Sequence, residues 1–257
     1  MTTMRIAVAG GTGVVGRHAV EAVLDAGHEP VVLSRSAGVD VTTGAGLDAA
    51  LQGVDAVIDA SNVETTGAKA STRFFETATR TLLAAEERAG VGHHVALSIV
   101  GAAHAPAAYY AGKAAQERVL QARDGGWTVL RATQFHEFAA QVLDRAHLGS
   151  WHAVPAMRSQ PIAAAEVGAA LVRAAEAGPG GILPDLAGPQ EEVMADLARR
   201  WLAATGSKDH VLEIPLPGAW GRSMRDGTLL PGPDATLGTQ TFAQWLARTG
   251  GSGWASR

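Results

Sequence analysis

Tyr109 and Lys113 stand four residues apart in Tyr109-Tyr110-Ala111-Gly112-Lys113. On a helix that spacing puts one side chain a single turn below the other. A free phenol titrates near ~10 and a free ammonium near ~10.4. A cation beside a phenol favours the phenolate and draws its titration toward neutrality. Such a phenol can give a proton to a carbonyl oxygen, or take one from an alcohol, near physiological pH. Tyr110 has Ala114 at the matching offset and lacks that partner, and these two are the chain's full complement of tyrosine. Ser98, eleven residues before Tyr109, offers a hydroxyl to a substrate oxygen.

A second constellation is rich in glycine. Gly10-Gly11-Thr12-Gly13-Val14-Val15-Gly16 fits G-x-x-G-x-x-G from Gly10 and G-x-G-x-x-G from Gly11. It follows an apolar run, residues 4–9, and precedes a helical stripe of Val15, Ala19, Val20, Val23 and Leu24. A strand that turns at once into a helix aims unpaired N–H groups at whatever sits above the turn, an anion site reinforced by the helix dipole. Glycines allow the tight turn and let a pyrophosphate approach without meeting a Cβ. Gly10, Thr12, Gly13, Val14, Val15 and Gly16 are therefore the expected dinucleotide cradle. No Gly-Lys-Ser/Thr follows, so a P-loop is not indicated.

The second strand, residues 31–33, runs into Ser34-Arg35-Ser36. An acid there would hold a ribose 2′-hydroxyl. An arginine flanked by hydroxyls suits a 2′-phosphate instead, which favours NADP(H) over NAD(H). Arg17, just past Gly16, can support the same phosphate. Asp40 is expected beside the adenine as an acceptor for its amino group. The third strand, within residues 54–60, ends at Ala60-Ser61-Asn62, where small residues let the cofactor pass; Asn62 is the chain's one asparagine.

The rest of the chain must position these groups. Its 257 residues suffice for one large α/β domain, and 47% hydrophobic with 18% charged residues is ordinary for a globular protein. A net charge of −4 leaves no basic footprint for nucleic acid and no polybasic membrane patch. The absence of cysteine removes disulfides and thiolate metal sites. No charged-then-apolar leader opens the chain and no apolar run reaches spanning length, so a cytoplasmic protein is expected. Helices are expected at 47–51, 71–89, 107–122, 135–147, 164–177, 191–204 and 239–248. Strands are expected at 93–100, 127–132, 182–186 and 211–214, with 151–161 loop or short strand. His93 and His94 point to opposite faces of a strand, a poor metal pair, and are assigned to strand entry and solvent. The tail, residues 250–253, is expected to fray.

The alternation predicts an α/β, doubly wound parallel sheet (Rossmann-like) with a small irregular C-terminal substrate-side subdomain. Residues 1–257 form one domain in this reading, with roughly residues 150–257 as the substrate-side wall. Phe135 and His136 follow a strand end and are expected to border a substrate.

The glycine pattern, Ser98 and Tyr109-x-x-x-Lys113 resemble the short-chain dehydrogenase/reductase superfamily. Ala9-Gly10-Gly11-Thr12-Gly13, Leu97-Ser98-Ile99-Val100-Gly101, residues 109–117, Leu130-Arg131-Ala132-Thr133-Gln134-Phe135 and Gln160-Pro161-Ile162 resemble its atypical, NmrA-like NAD(P)H-binding branch. The likeness covers residues 4–170 well and the remainder loosely. It implies that Tyr109 protonates the substrate oxygen, that Lys113 holds the nicotinamide ribose and lowers the phenol's pKa, and that Ser98 orients the substrate. Two departures stand out: the 71–89 helix has no asparagine for a proton relay, and Ser98 is closer to Tyr109 than in classical members. The expectation is an NADPH-dependent oxidoreductase that reduces a small apolar carbonyl or quinone-like substrate by hydride transfer, as a monomer or homodimer. Two other classes stay open. One is an NADP(H)-binding redox-sensing regulatory protein without turnover; the other is an epimerase or dehydratase that uses the cofactor transiently.

Overall fold

A computed structural model describes residues 2–249; the tail expected to fray, residues 250–253, lies outside the described residues. The first half contains β1 (Arg5–Ala9), α1 (Val14–Asp25), β2 (Glu29–Leu33), a 3-10 turn (Arg35–Ala37), α2 (Leu47–Ala50), β3 (Ala56–Asp59), α3 (Ala68–Ala89), β4 (His93–Ile99), α4 (Tyr110–Gln121) and β5 (Trp127–Ala132). There follow α5 (Phe138–Arg145), β6 (His147–Leu148), β7 (Trp151–Pro155), β8 (Arg158–Ser159), α6 (Ala164–Ala177) and β9 (Gly181–Ile182). The chain closes with β10 (Leu186–Ala187), β11 (Glu192–Val193), α7 (Met194–Ala204), β12 (His210–Ile214), α8 (Gly218–Arg225), β13 (Thr236–Leu237) and α9 (Phe242–Thr249).

Two compact units emerge. The first takes the chain through Ala132 together with Ala165–Pro184. Its sheet runs β2-β1-β3-β4-β5-β9 with every pair parallel. The strands carry unbroken apolar runs such as Ile6-Ala7-Val8-Ala9, all fully buried, because helices cover both faces. Each such Val, Leu or Ile withdrawn from water contributes about 1.5–3 kcal/mol. Adjacent histidines report the two layers. His93 Nδ1 faces the Ala175 carbonyl of α6 at 3.4 Å, and His94 Nδ1 meets Glu86 Oε1 of α3 at 2.7 Å. The alternation of the strand thus holds, but the assignment of both rings to solvent is corrected: they are 5% and 1% exposed, each bonded inside the sandwich. Pro30 is tolerated in β2 because that strand lies at one end of the sheet. The architecture is an α/β Rossmann-like fold with a parallel sheet core and an extended C-terminal subdomain.

The second unit takes Thr133–Ala164 and the chain from Asp185 on. It holds a small sheet in the order β12-β7-β6, the antiparallel pair β8 and β11, and the parallel pair β10 and β13. Here the sequence patterns serve less well. The strand expected at 182–186 is two separate two-residue strands, because Pro184 has no N–H to continue a ladder. The helix expected over 135–147 narrows to α5, and His147 pairs antiparallel with His152 instead. Helix α8 lies in a stretch that proline density marks as irregular; Pro217 serves as its N-cap residue in extended conformation. No helix among the described residues is long and apolar enough to cross a membrane.

Candidate functional site

The glycine turn packs against the end of β3. Gly10 has φ +71°, and a Cβ placed on it would lie 2.7 Å from the Ala60 carbonyl and 2.9 Å from Ser61 Cα. A Cβ on Gly16 would lie 2.0 Å from the Gly10 carbonyl oxygen. Gly13 donates its N–H to that oxygen at 2.8 Å and begins α1 with no side chain capping it. Thr12 is exposed, Val14 half-buried, and Val15 is packed inward. The first-turn N–H groups of α1 are therefore left for a ligand. β2 lies on one side of β1 and β3 on the other, so the gap beside the turn is the topological switch point where open parallel sheets bind ligands.

Ser34 caps the 3-10 turn, its Oγ accepting from Ala37 N at 3.3 Å and lying 3.0 Å from Ser36 Oγ. Arg35 and Ser36 are exposed. Asp40 Oδ1 accepts from Thr42 N at 2.7 Å and Thr42 Oγ1 at 2.6 Å. The Thr42 hydroxyl is the main reason that the carboxyl sits below its ordinary range, with Arg35 adding a smaller pull. Asp40 thus organises its own loop.

Beyond β3, Ser61 is 5% exposed and its hydroxyl is buried without a hydrogen-bond partner. Such a group costs free energy unless something satisfies it. The glycine turn lies against the Ser61 backbone, and the turn, the uncapped helix start and an unsatisfied hydroxyl on that residue fit a dinucleotide. Next in the chain, Asn62 Oδ1 accepts from the Tyr109 hydroxyl at 2.8 Å. Tyr109 is held from three further directions. Its carbonyl accepts from Ser71 Oγ at 2.7 Å, its ring meets Phe75 edge-on at 5.6 Å, and Ala108 before it has φ +50°, a strained value for a residue with a Cβ. Gly112 makes this possible, since a Cβ there would lie 2.1 Å from Ser71 Oγ.

Lys113 lies in the first turn of α4, which Tyr109 precedes as its N-cap residue, and is 4% exposed. Its Nζ donates to the Leu97 carbonyl at 2.7 Å and Gln116 Oε1 at 3.0 Å, and lies 4.0 Å from the centre of the Phe75 ring. Phe75 thus touches both members of the pair. Burial lowers the Lys113 ammonium to about 8, against the opposing pull of Asp59 and Glu117. Ser98 is turned elsewhere: its Oγ donates to Glu117 Oε1 at 2.5 Å. Glu117 also receives Arg131 in a bidentate pair, at 2.9 and 2.6 Å. This cluster ties α4 to the ends of β4 and β5. Glu117→Ala is expected to cost about 3–5 kcal/mol, the usual cost of breaking a buried ion pair, as a lowered urea midpoint.

Phe135 and His136 belong to the second unit. His136 is 1% exposed, its Nε2 lies 3.0 Å from the Gln240 carbonyl, and its ring packs on Phe242 and Trp245. Sequence reading passed over Asp59, Gln116, Glu117 and Arg131. Two signals were there: an acid ending the otherwise apolar Ala56-Val57-Ile58-Asp59, and a glutamine three residues after Lys113 on its face.

Fold and site define an NAD(P)H-binding domain with a Rossmann-like fold. Residues 36–177 match the NAD(P)H-binding family, more than half of the 257 residues, and the chain belongs to that family. Over 117 residues it is 33% identical to the photosystem II assembly factor Ycf39 of Synechocystis sp. (strain ATCC 27184 / PCC 6803 / Kazusa), a match covering 40% of this chain and 36% of that protein. The chain thus spans about a third of that relative's length. Among solved structures, the fold is shared with UDP-glucose 4-epimerase from Bifidobacterium longum in complex with NAD+ and UDP (TM-score 0.71, 13% identity, 96% and 97% of the chains covered). It is shared too with a short-chain dehydrogenase/reductase superfamily protein from Agrobacterium tumefaciens with bound NAD (0.68, 19%, 96% and 96%). The NADPH-dependent quinone oxidoreductase QOR2 from Escherichia coli complexed with NADPH is a third (0.67, 19%, 95% and 99%).

Proposed function

We propose that this protein is an NADPH-dependent reductase of a small apolar carbonyl or quinone-like substrate, in the NmrA-like branch of the short-chain dehydrogenase/reductase superfamily. The observation that carries the reading is the Tyr109 hydroxyl on Asn62, two residues beyond Ala60, at the strand end against which the glycine turn packs. The cofactor, when bound, supplies the hydride to the substrate carbon. Tyr109 gives its proton to the substrate oxygen, so that a ketone or aldehyde C=O becomes CH–OH and a quinone, taking the same hydride and proton, becomes a hydroquinone. Lys113 holds the ribose and favours the phenolate left behind. The glycine turn and Ser61 take the pyrophosphate. A screen of NADPH oxidation against ketones, aldehydes and quinones tests this; no turnover on any of them would overturn it. A second reading, a cofactor-binding sensor without turnover, is favoured by Ser98 being committed to Glu117. Tight NADPH binding without turnover, plus a protein partner in pull-down, would support that one.

NADPH is the cofactor in this proposal because Arg35 is exposed where an acid would reject the 2′-phosphate. A charge-assisted hydrogen bond retains about 1.5–3 kcal/mol. NADPH is therefore expected to bind about ten- to a hundredfold tighter than NADH. Arg35→Ala should erase most of that gap by weakening NADPH alone, and added salt should narrow it. Fluorescence titration of both cofactors checks this; equal wild-type affinities would remove Arg35 from the site.

A further inference from the structure

The side of the sheet beneath α3 and α4 carries a buried polar chain. Asp59 is 0% exposed at the end of β3. Its Oδ1 accepts from Ser61 N at 3.0 Å, and its Oδ2 accepts from Gln116 Nε2 at 2.9 Å. Gln116, also 0% exposed, uses its Oε1 to accept from Lys113 Nζ. One carboxylate therefore grips two things: the backbone that the Gly10 turn packs against, and through one amide, the lysine. The donors and acceptors fit in a single sense. An ionised Asp59 fixes the Gln116 amide with its NH₂ toward the acid, which leaves its oxygen for the ammonium.

We propose that Asp59 is a positioning residue that joins the cofactor-facing loop after β3 to Lys113 through Gln116. The proposal rests on the reading above for the role of Lys113. The charged groups around this chain are Glu117 on α4 and, behind Asp59, the pair of His94 on β4 and Glu86 on α3. His94 Nε2 lies 4.0 Å from Asp59 Oδ2. Burial works against the His94 cation, yet Glu86, with Asp59 behind it, holds the imidazole above its ordinary range. A carboxylate braced on both sides is a stable anchor for the amide.

The proposal makes an unusual demand on variants. Asp59→Asn leaves one acceptor for two donors; with that oxygen kept on the Ser61 N–H, the new NH₂ meets the Gln116 NH₂. Gln116 must then flip, which turns its NH₂ on the ammonium. In the double variant Asp59→Asn with Gln116→Glu the sense is restored: the new carboxylate accepts both from the amide introduced at position 59 and from Lys113, at unchanged net charge. The chain has three lysines, Lys69, Lys113 and Lys208, so their side chains can be followed one by one by NMR on lysine-labelled protein, with Lys113→Met identifying the signal. Asp59→Asn is expected to lower the Lys113 titration by about 1 unit or more and to weaken NADPH. The double variant should return both toward wild type. Should the single variant not fold, Gln116→Leu cuts the same link and should weaken NADPH likewise. A Lys113 titration unmoved by Asp59→Asn, or a double variant no better than the single, would overturn the proposal. The NMR titration needs neither substrate nor cofactor. Absence of turnover in wild type therefore sinks the reductase reading alone, and an unmoved lysine sinks the coupling alone.

Discussion

Tyr109→Phe is expected to lower kcat on a carbonyl substrate by about 10²–10⁴-fold, the range of general acid catalysis, with NADPH affinity nearly unchanged. The substitution removes one oxygen. The ring keeps its edge contact with Phe75, and its backbone carbonyl keeps the Ser71 hydrogen bond. What disappears is the hydroxyl proton that Tyr109 donates to Asn62 Oδ1. Lys113→Met is the companion experiment and should behave differently. It takes a donor from the Leu97 carbonyl and from Gln116, both inside the protein, so it should weaken NADPH as well as slow turnover. Stopped-flow measurement of NADPH oxidation, together with equilibrium titration of the cofactor, separates the two effects. Unchanged turnover in Tyr109→Phe would take the phenol out of the chemistry.

Gly16→Ala should lose most affinity for NADPH and NADH alike. The added methyl would lie 2.0 Å from the Gly10 carbonyl oxygen and 2.7 Å from its carbon, so backbone must move. That oxygen accepts the Gly13 N–H that sets the start of α1. Displacing it rotates the first-turn N–H groups away from an anion, and overpacking of this kind costs about 1–3 kcal/mol before any ligand is added. Gly10→Ala should act similarly, because it meets the Ala60 carbonyl and φ +71° is unfavourable for alanine. Gly92→Ala is the control, since nothing lies within 4 Å of its added carbon. Calorimetric titration with both cofactors checks the set. Wild-type affinity in Gly16→Ala would mean that the glycine turn does not hold the pyrophosphate.

The parallel sheet of the first unit was legible because its signals are local. An apolar run long enough to cross the sheet, a glycine turn and an amphipathic helix lie in sequence order, and each element's face is decided within a few residues. β5 falls on 127–132 and α6 on 164–177, as periodicity predicts. The second unit was read less well because its strands are mostly two residues long. Such strands carry no period, and their pairing depends on partners remote in the chain.

The glycine turn and the four-residue offset of Tyr109 and Lys113 were legible in the sequence, since both are spacings within one turn of chain. Tertiary structure alone decided who faces whom. Ser98 reads as a free hydroxyl at a strand end, yet Glu117, nineteen residues on, claims it. His93 and His94 read as surface residues, yet two helix layers close over them. Asp59 reads as one acid among many, and only the stacking of α3 and α4 on the sheet makes it a fully buried charge with a glutamine on one oxygen and the Ser61 amide on the other. A buried charge must find its partners wherever the fold brings them, and those contacts span distances that no local pattern encodes.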